Sequence, residues 1–156
     1  MKFMSLLLLL AISSCTPCVS SKVESIDFLV VQSGASFEIE GDRLILKGTM
    51  NSLFFSDHPN RIVKEVGARE FVDVWRTSKM EVDPPNAVIS VFGEERPYNV
   101  VLVLNNLELG DNDEVIYTYQ LIKGQLPSKS ASFSLFIDAF PTSVNDQITD
   151  SVSMVK

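Results

Sequence analysis

A mainly β chain, folded as an antiparallel β-sandwich or a strongly curved sheet of about seven or eight strands with one inserted α-helix at about 67–77, is predicted by three observations. Most apolar residues fall in short segments bounded by Gly, Pro, Asn and Asp clusters, as half-buried or buried strands do. One hairpin, Ser36 to Lys47 around Gly41-Asp42, has a register that checks itself. Only Gly67 to Thr77 carries a helical stripe, with Phe71, Val74 and Trp75 at i, i+3 and i+4.

The first 21 residues stand apart from that pattern. Met1, Lys2 and Phe3 precede an apolar run from Met4 to Ile12, and small polar residues come after it. One cation, about nine apolar residues and then small ones is the order of a secretory signal. A membrane-spanning helix needs about 20 apolar residues, so the run reads as a leader rather than an anchor. Two ends of the leader stay open. Ile12-Ser13-Ser14-Cys15 resembles a bacterial lipoprotein box, with Cys15 as the lipidated residue, and cleavage near Ser20 or Ser21 would instead release a free protein. Export to the periplasm, the cell envelope or the medium is expected either way.

Beyond the leader lie one domain at 22–140 and a tail at 141–156, expected to be mobile because it has little apolar content and no caps. Both cysteines, Cys15 and Cys18, lie in or beside the leader, so the domain rests on its core without a disulfide. Their C-x-x-C spacing lacks the folded context or second ligand pair that redox or zinc chemistry needs. Without Lys2 the domain has 12 basic and 20 acidic residues, a formal charge of −8. That field opposes nucleic acid and anionic lipid, leaving a lipid at Cys15 as the only membrane contact expected.

In chain order, the first strand is expected around Ile26 to Val31, stopped by Ser33-Gly34. In the hairpin, a two-residue turn sets Glu40 against Arg43, Ile39 against Leu44 and Phe37 against Leu46, which puts the four apolar residues on one face. After Leu53-Phe54-Phe55 the alternation breaks at Ser56 to Arg61, an ordered turn in which Pro59 holds His58 extended. Ile62 to Val66 reads as a short strand. The helix then opens with Gly67 as N-cap, Glu70 at N3 in a weak capping box, and Val66 with Phe71 as a hydrophobic staple. A loop with Asp83-Pro84-Pro85-Asn86 comes next, then strands at 87–92, 98–109, 115–123 and 132–138. Trp75, on the packing stripe, is expected in the core.

The middle of the chain is its most distinctive part. Phe55-Ser56-Asp57-His58-Pro59-Asn60-Arg61, Glu70-Phe71, Trp75 and Asp83-Pro84-Pro85-Asn86-Ala87 together resemble a pattern found in a family of exported, uncharacterised microbial proteins. His58 stands where that pattern more often has Arg. The resemblance spans roughly 26–140, and it implies export and a single domain but no activity.

Two readings of these residues stay open. In the first, Arg61 bonds Asp57, Asp83 or backbone carbonyls, and the cluster clasps two irregular loops to the sheet. In the second, Asp57, His58, Arg61, Trp75, Asp83 and Asn86 frame a pocket for a small anionic ligand or a partner protein, with Arg61 gripping the anion and Trp75 as a wall. A hydrolase is the alternative. Ser56, Asp57 and His58 are consecutive, so neighbours in an extended segment point apart, and His58 would need a carboxylate such as Asp83 or Asp138 to orient it. One His and no usable Cys leave zinc and copper without ligands, and Asp111-Asn112-Asp113 reads as a turn more readily than as a calcium loop. No cofactor is expected. The sequence favours a non-catalytic binding or structural module that works through the loops around 53–61 and 79–86.

Overall fold

The alternation of the first strand decides which face of the sheet becomes the core. The computed structural model describes residues 26–48, 51–59, 61–92, 96–130 and 132–140. The leader, both cysteines and residues 141–156 lie outside the described residues, and with them the expectations of a signal, of lipidation at Cys15 and of a mobile tail. Strand β1 (Phe28–Gly34) turns Phe28, Val30 and Gln32 inward, all buried, and Leu29, Val31 and Ser33 outward. It runs through Ser33-Gly34, bends at Ala35 and continues as β2 (Ser36–Glu40). The expected stop is a corner instead.

Gly34 makes that corner. A Cβ there would lie 2.6 Å from the Phe133 ring and 2.9 Å from the Lys47 carbonyl oxygen, closer than real contacts allow. The chain crosses from one layer to the other where only a bare backbone fits.

The hairpin of β2 with β3 (Arg43–Lys47) forms in the expected register, Glu40 opposite Arg43 through Phe37 opposite Leu46, with Gly41 at φ 64° in its turn. Next come β4 (Asn51–Ser56), β5 (Val63–Gly67), α1 (Ala68–Thr77), β6 (Asn86–Val91) and β7 (Tyr98–Leu109). A 3-10 turn at Asp111–Asp113 leads into β8 (Val115–Lys123), and β9 (Lys129–Ser130) and β10 (Phe133–Phe140) complete the sheet. All pairings are antiparallel, in the order β5-β4-β1-β10-β6-β7-β8-β3-β2-β9. The fold is thus mainly β with one helix, as expected. Among the described residues ten strands form, one of them β9, a two-residue pairing with β2 in a stretch that reads as loop.

One sheet supplies both layers because it curls. Five strand spacings separate β10 from β2, roughly 24 Å along a flat sheet. Yet the Phe37 and Phe133 rings meet edge to face at 5.9 Å. The irregularities in the β7–β8 register, at Val101/Leu102 and Leu104/Asn106, supply the extra residues and the local twist that let these long strands bend. The first layer is β5-β4-β1-β10-β6, the second is β8-β3-β2-β9, and β7 turns between them.

The helix is the strut between the layers. Phe28, Phe54, Phe71, Trp75 and Tyr117 form a chain of ring contacts at 5.5–6.2 Å, running from β1 and β4 through α1 to β8. Trp75 and Phe71 have no exposed surface. Gly67 is the N-cap, and Val66 and Phe71 are both buried, as a staple requires. The capping box does not form. Glu70 Oε1 accepts from Lys64 Nζ at 3.2 Å, because the ammonium held on β5 is a stronger donor than the backbone amide at the cap.

Candidate functional site

Residues 57–62 join β4 to β5 in a loop built on its own backbone. The Ser56 amide donates to the Ile62 carbonyl at 2.9 Å, and the Ile62 amide donates to Ser56 Oγ at 2.7 Å. The Arg61 amide closes back on the Asp57 carbonyl at 3.1 Å, with Arg61 at φ 49° and the His58-Pro59 bond cis. Serine before the turn satisfies an amide the ladder would leave open, which is why the sequence stops alternating there.

This loop presents Asp57, His58 and Arg61 to solvent, all three exposed. Arg61 Nε donates to His58 Nδ1 at 3.0 Å. Among the described residues the Arg61 side chain meets no carboxylate, so the charge clasp with Asp57 or Asp83 is not the contact made. Asp83 and Asn86 are also exposed, on the approach to β6. Register places them at the same end of the sheet: Phe55 opposes Val63 next to the loop, Phe28 opposes Ser56, and Asn86 opens β6. Strands β1 and β10 stand between β4 and β6, so the two loops are three spacings apart, roughly 14 Å. Five of the six candidate residues therefore share one end of the molecule as two separate patches. The sixth, Trp75, lies in the core and cannot wall a pocket at the surface. The buried Pro85, whose carbonyl accepts from the Leu104 amide at 3.1 Å, ties the second loop to β7.

Chemically the first patch is a guanidinium beside an imidazole ring whose Nδ1 accepts from it. An imidazole that accepts at Nδ1 carries its proton on Nε2. A general base of the serine-hydrolase type needs the opposite tautomer, with a carboxylate on Nδ1–H. What the pair offers is N–H donors: His58 Nε2 and the outer guanidinium nitrogens of Arg61, a set suited to a carboxylate or phosphate.

A second polar region went unread in the sequence because strands far apart in the chain build it. On the outer face of the second layer, Lys47 Nζ lies 2.8 Å from Glu38 Oε2 and 3.8 Å from Glu114 Oε1, and Arg43 lies 4.0 Å from Glu108. The hydrogen bond to Glu38 is the main cause that raises the Lys47 pKa, with the charges of Glu38, Glu114 and Glu40 adding to it and desolvation opposing it. Ile45 and Ile116 are buried beneath this layer of charges. The charges answer one another and their stems cover apolar surface, the arrangement of a solvated face. At the β7–β8 turn, Asp113 pairs with Arg69 at 3.2 Å, and Asn112 and Asp113 take positive φ. Among the described residues no three His, Cys, Asp or Glu side chains gather as metal ligands, and no helix is long and apolar enough to cross a membrane.

No protein-family model matches the chain, and none of the curated proteins or solved structures compared with it matches either.

Proposed function

We propose that this chain is an exported, non-catalytic module that binds a partner protein or a small anionic ligand through the loop end of its sheet, with Asp57, His58 and Arg61 as the central contacts and Asp83 and Asn86 as a flanking patch. The observation that carries this reading is the Arg61 Nε to His58 Nδ1 hydrogen bond at 3.0 Å, which joins two exposed donors on a loop fixed by its own backbone. Export rests on the leader at 1–21 and on the resemblance of the central motifs. Attachment to a membrane, where present, runs through a lipid on Cys15.

Titrating the isotopically labelled protein with inorganic phosphate and with succinate tests the site. Saturable shifts of the His58 ring and Arg61 Nε resonances are expected, and Arg61→Ala abolishes them. Because these side chains are exposed, Asp57→Ala, His58→Ala and Arg61→Ala each change stability by no more than about 0.5 kcal/mol, roughly 2 °C in the melting midpoint. A loss on the order of 10 °C for Arg61→Ala would make the loop a structural clasp. Silence toward both anions would leave a protein partner as the ligand. Turnover of a simple ester that His58→Ala eliminates would replace this reading with the hydrolase.

A further inference from the structure

The sheet ends differently at its two edges. At one, Lys129 and Ser130 pair with Glu38 and Phe37 as β9, a strand too short to carry the ladder further. At the other stands β5, five residues long and paired with β4 alone among the described residues. Two bonds fix which of its backbone groups are left over. The Ser56 amide donates to the Ile62 carbonyl and the Ile62 amide to Ser56 Oγ, so the Ile62 backbone faces β4. An antiparallel ladder alternates from there: Lys64 and Val66 bond to β4, and the amides and carbonyls of Val63, Glu65 and Gly67 point away from it. The first of these open groups lies two residues beyond Arg61, roughly 7 Å along an extended chain. The side chains of Val63 and Glu65 share the outer face of the sheet, because they oppose the outward Phe55 and Leu53. Val63 is 59% exposed. Glu65 accepts from the Asn51 side-chain amide, a neutral donor, and meets no cation among the described residues.

We propose that this open edge and the Arg61–His58 pair together bind the C-terminal end of an extended peptide, which adds to β5 as an antiparallel strand. The proposal rests on the reading of the loop as a donor site for an anion, and it names the anion as a main-chain carboxylate. Polarity selects the end of the peptide. Strand β5 runs away from the loop, so a strand antiparallel to it runs toward the loop and brings its C-terminus to Arg61. With the last residue opposite Val63, its amide donates to the Val63 carbonyl, and one carboxylate oxygen accepts from the Val63 amide. The other oxygen faces back along the chain, where Arg61 and His58 present their N–H donors. A free phosphate would use these donors but not the edge, and a parallel strand the edge but not the donors. Side-chain preference follows from the same register. An apolar last residue covers Val63, and the residue two before it lies opposite Glu65, where a basic side chain answers the carboxylate. A chain with 20 acidic and 13 basic residues draws such a basic tail from solution rather than an acidic one.

Titrating the isotopically labelled protein with the peptide acetyl-Ser-Thr-Lys-Thr-Val, once as the free carboxylate and once as the C-terminal amide, tests this. The carboxylate form is expected to shift the Val63, Glu65 and Gly67 amides and Arg61 Nε saturably, and to slow hydrogen exchange at the three amides at least tenfold. The amidated form binds at least tenfold more weakly, and so does the carboxylate form to Arg61→Ala. In Glu65→Lys the side-chain preference reverses, so that a peptide with Glu in place of its Lys binds more tightly than the original. Equal binding of the two peptide forms overturns the proposal, and because that comparison uses only the wild type it holds whether or not a variant folds. Amides of β5 that stay unmoved up to about 2 mM peptide overturn it too, since even a contact with a dissociation constant of about 1 mM is mostly filled there. Phosphate and succinate that shift the Arg61 and His58 resonances while the peptide leaves β5 unmoved would remove the added strand and keep the loop as a site for free anions.

Discussion

Trp75→Ala lowers the midpoint of thermal unfolding by on the order of 10 °C, the largest loss expected from any single truncation in this protein. Trp75 has no exposed surface and is the link in the ring chain from Phe28 to Tyr117 that reaches the second layer. Truncating a buried aromatic costs about 3–5 kcal/mol in transfer and cavity terms. At this size each kcal/mol moves the midpoint by roughly 2–4 °C or somewhat more. The loss goes beyond one side chain's burial because Trp75 is where α1 touches β8, its ring 5.5 Å from that of Tyr117. Without it, the two layers keep direct contacts such as Phe37 on Phe133 but lose the strut. Trp75→Phe, which restores most of the volume, recovers more than half of the loss. Circular dichroism melts of the three proteins check this, and Trp75, the only Trp, gives the wild type a single fluorescence reporter. A midpoint within about 3 °C of wild type for Trp75→Ala would mean the helix is not what holds the layers apart.

The position of Trp75 was legible in the sequence, and so were other local features. The Gly41-Asp42 turn set every pairing of β2 with β3, and the spacing of Phe71, Val74 and Trp75 was enough to name the inner face of the helix. The bounds of β7 and β8 could be read from their apolar runs. Strand order could not, because β1 pairs with β4 and β10, partners set by long loops and by curling rather than by any adjacent residue. Leu29 and Val31 show the limit clearly. An apolar residue beside Val30 suggests a strand covered on both faces, yet Leu29 is 42% exposed, because nothing in a run of letters says whether a second surface is there to cover it. The loop site has the same character. Asp57, His58, Arg61, Asp83 and Asn86 could be nominated from turn chemistry, but that Arg61 turns to His58 depends on its positive φ and on the closure of the loop by Ser56 and Ile62. Least legible was Gln32, a polar residue near a strand end that nothing in the sequence singled out and that lies buried in the core.

Replacing Gln32 tests that centre. Gln32 Nε2 donates to Ser52 Oγ at 2.8 Å, and Tyr117 Oη donates to Gln32 Oε1 at 2.9 Å, a buried chain from β4 through β1 to β8. Gln32→Leu keeps the volume and strands both hydroxyls, each at a cost of about 1–3 kcal/mol, so a loss of about 2–6 kcal/mol is expected. Adding Ser52→Ala and Tyr117→Phe removes the stranded groups, and the triple variant should regain most of the stability, since a fully apolar core is cheaper than a half-satisfied polar one. A triple variant no more stable than Gln32→Leu would show that the amide acts through packing alone. The same phenol sets an alkaline limit. Burial pushes the Tyr117 pKa well above its ordinary value, and the Gln32 bond only partly opposes that. An unfolded tyrosine ionises near pH 10, by the usual value of about 10. Below that pH the stabilisation linked to a protonated Tyr117 is fully present; as pH rises above about 10 the unfolded chain releases the proton, the folded one resists, and stability falls. In an alkaline titration followed at the phenolate band, one of the three tyrosines should therefore ionise together with loss of the near-ultraviolet circular dichroism. In Tyr117→Phe that step is gone, and if it persists the reluctant phenol is not Tyr117.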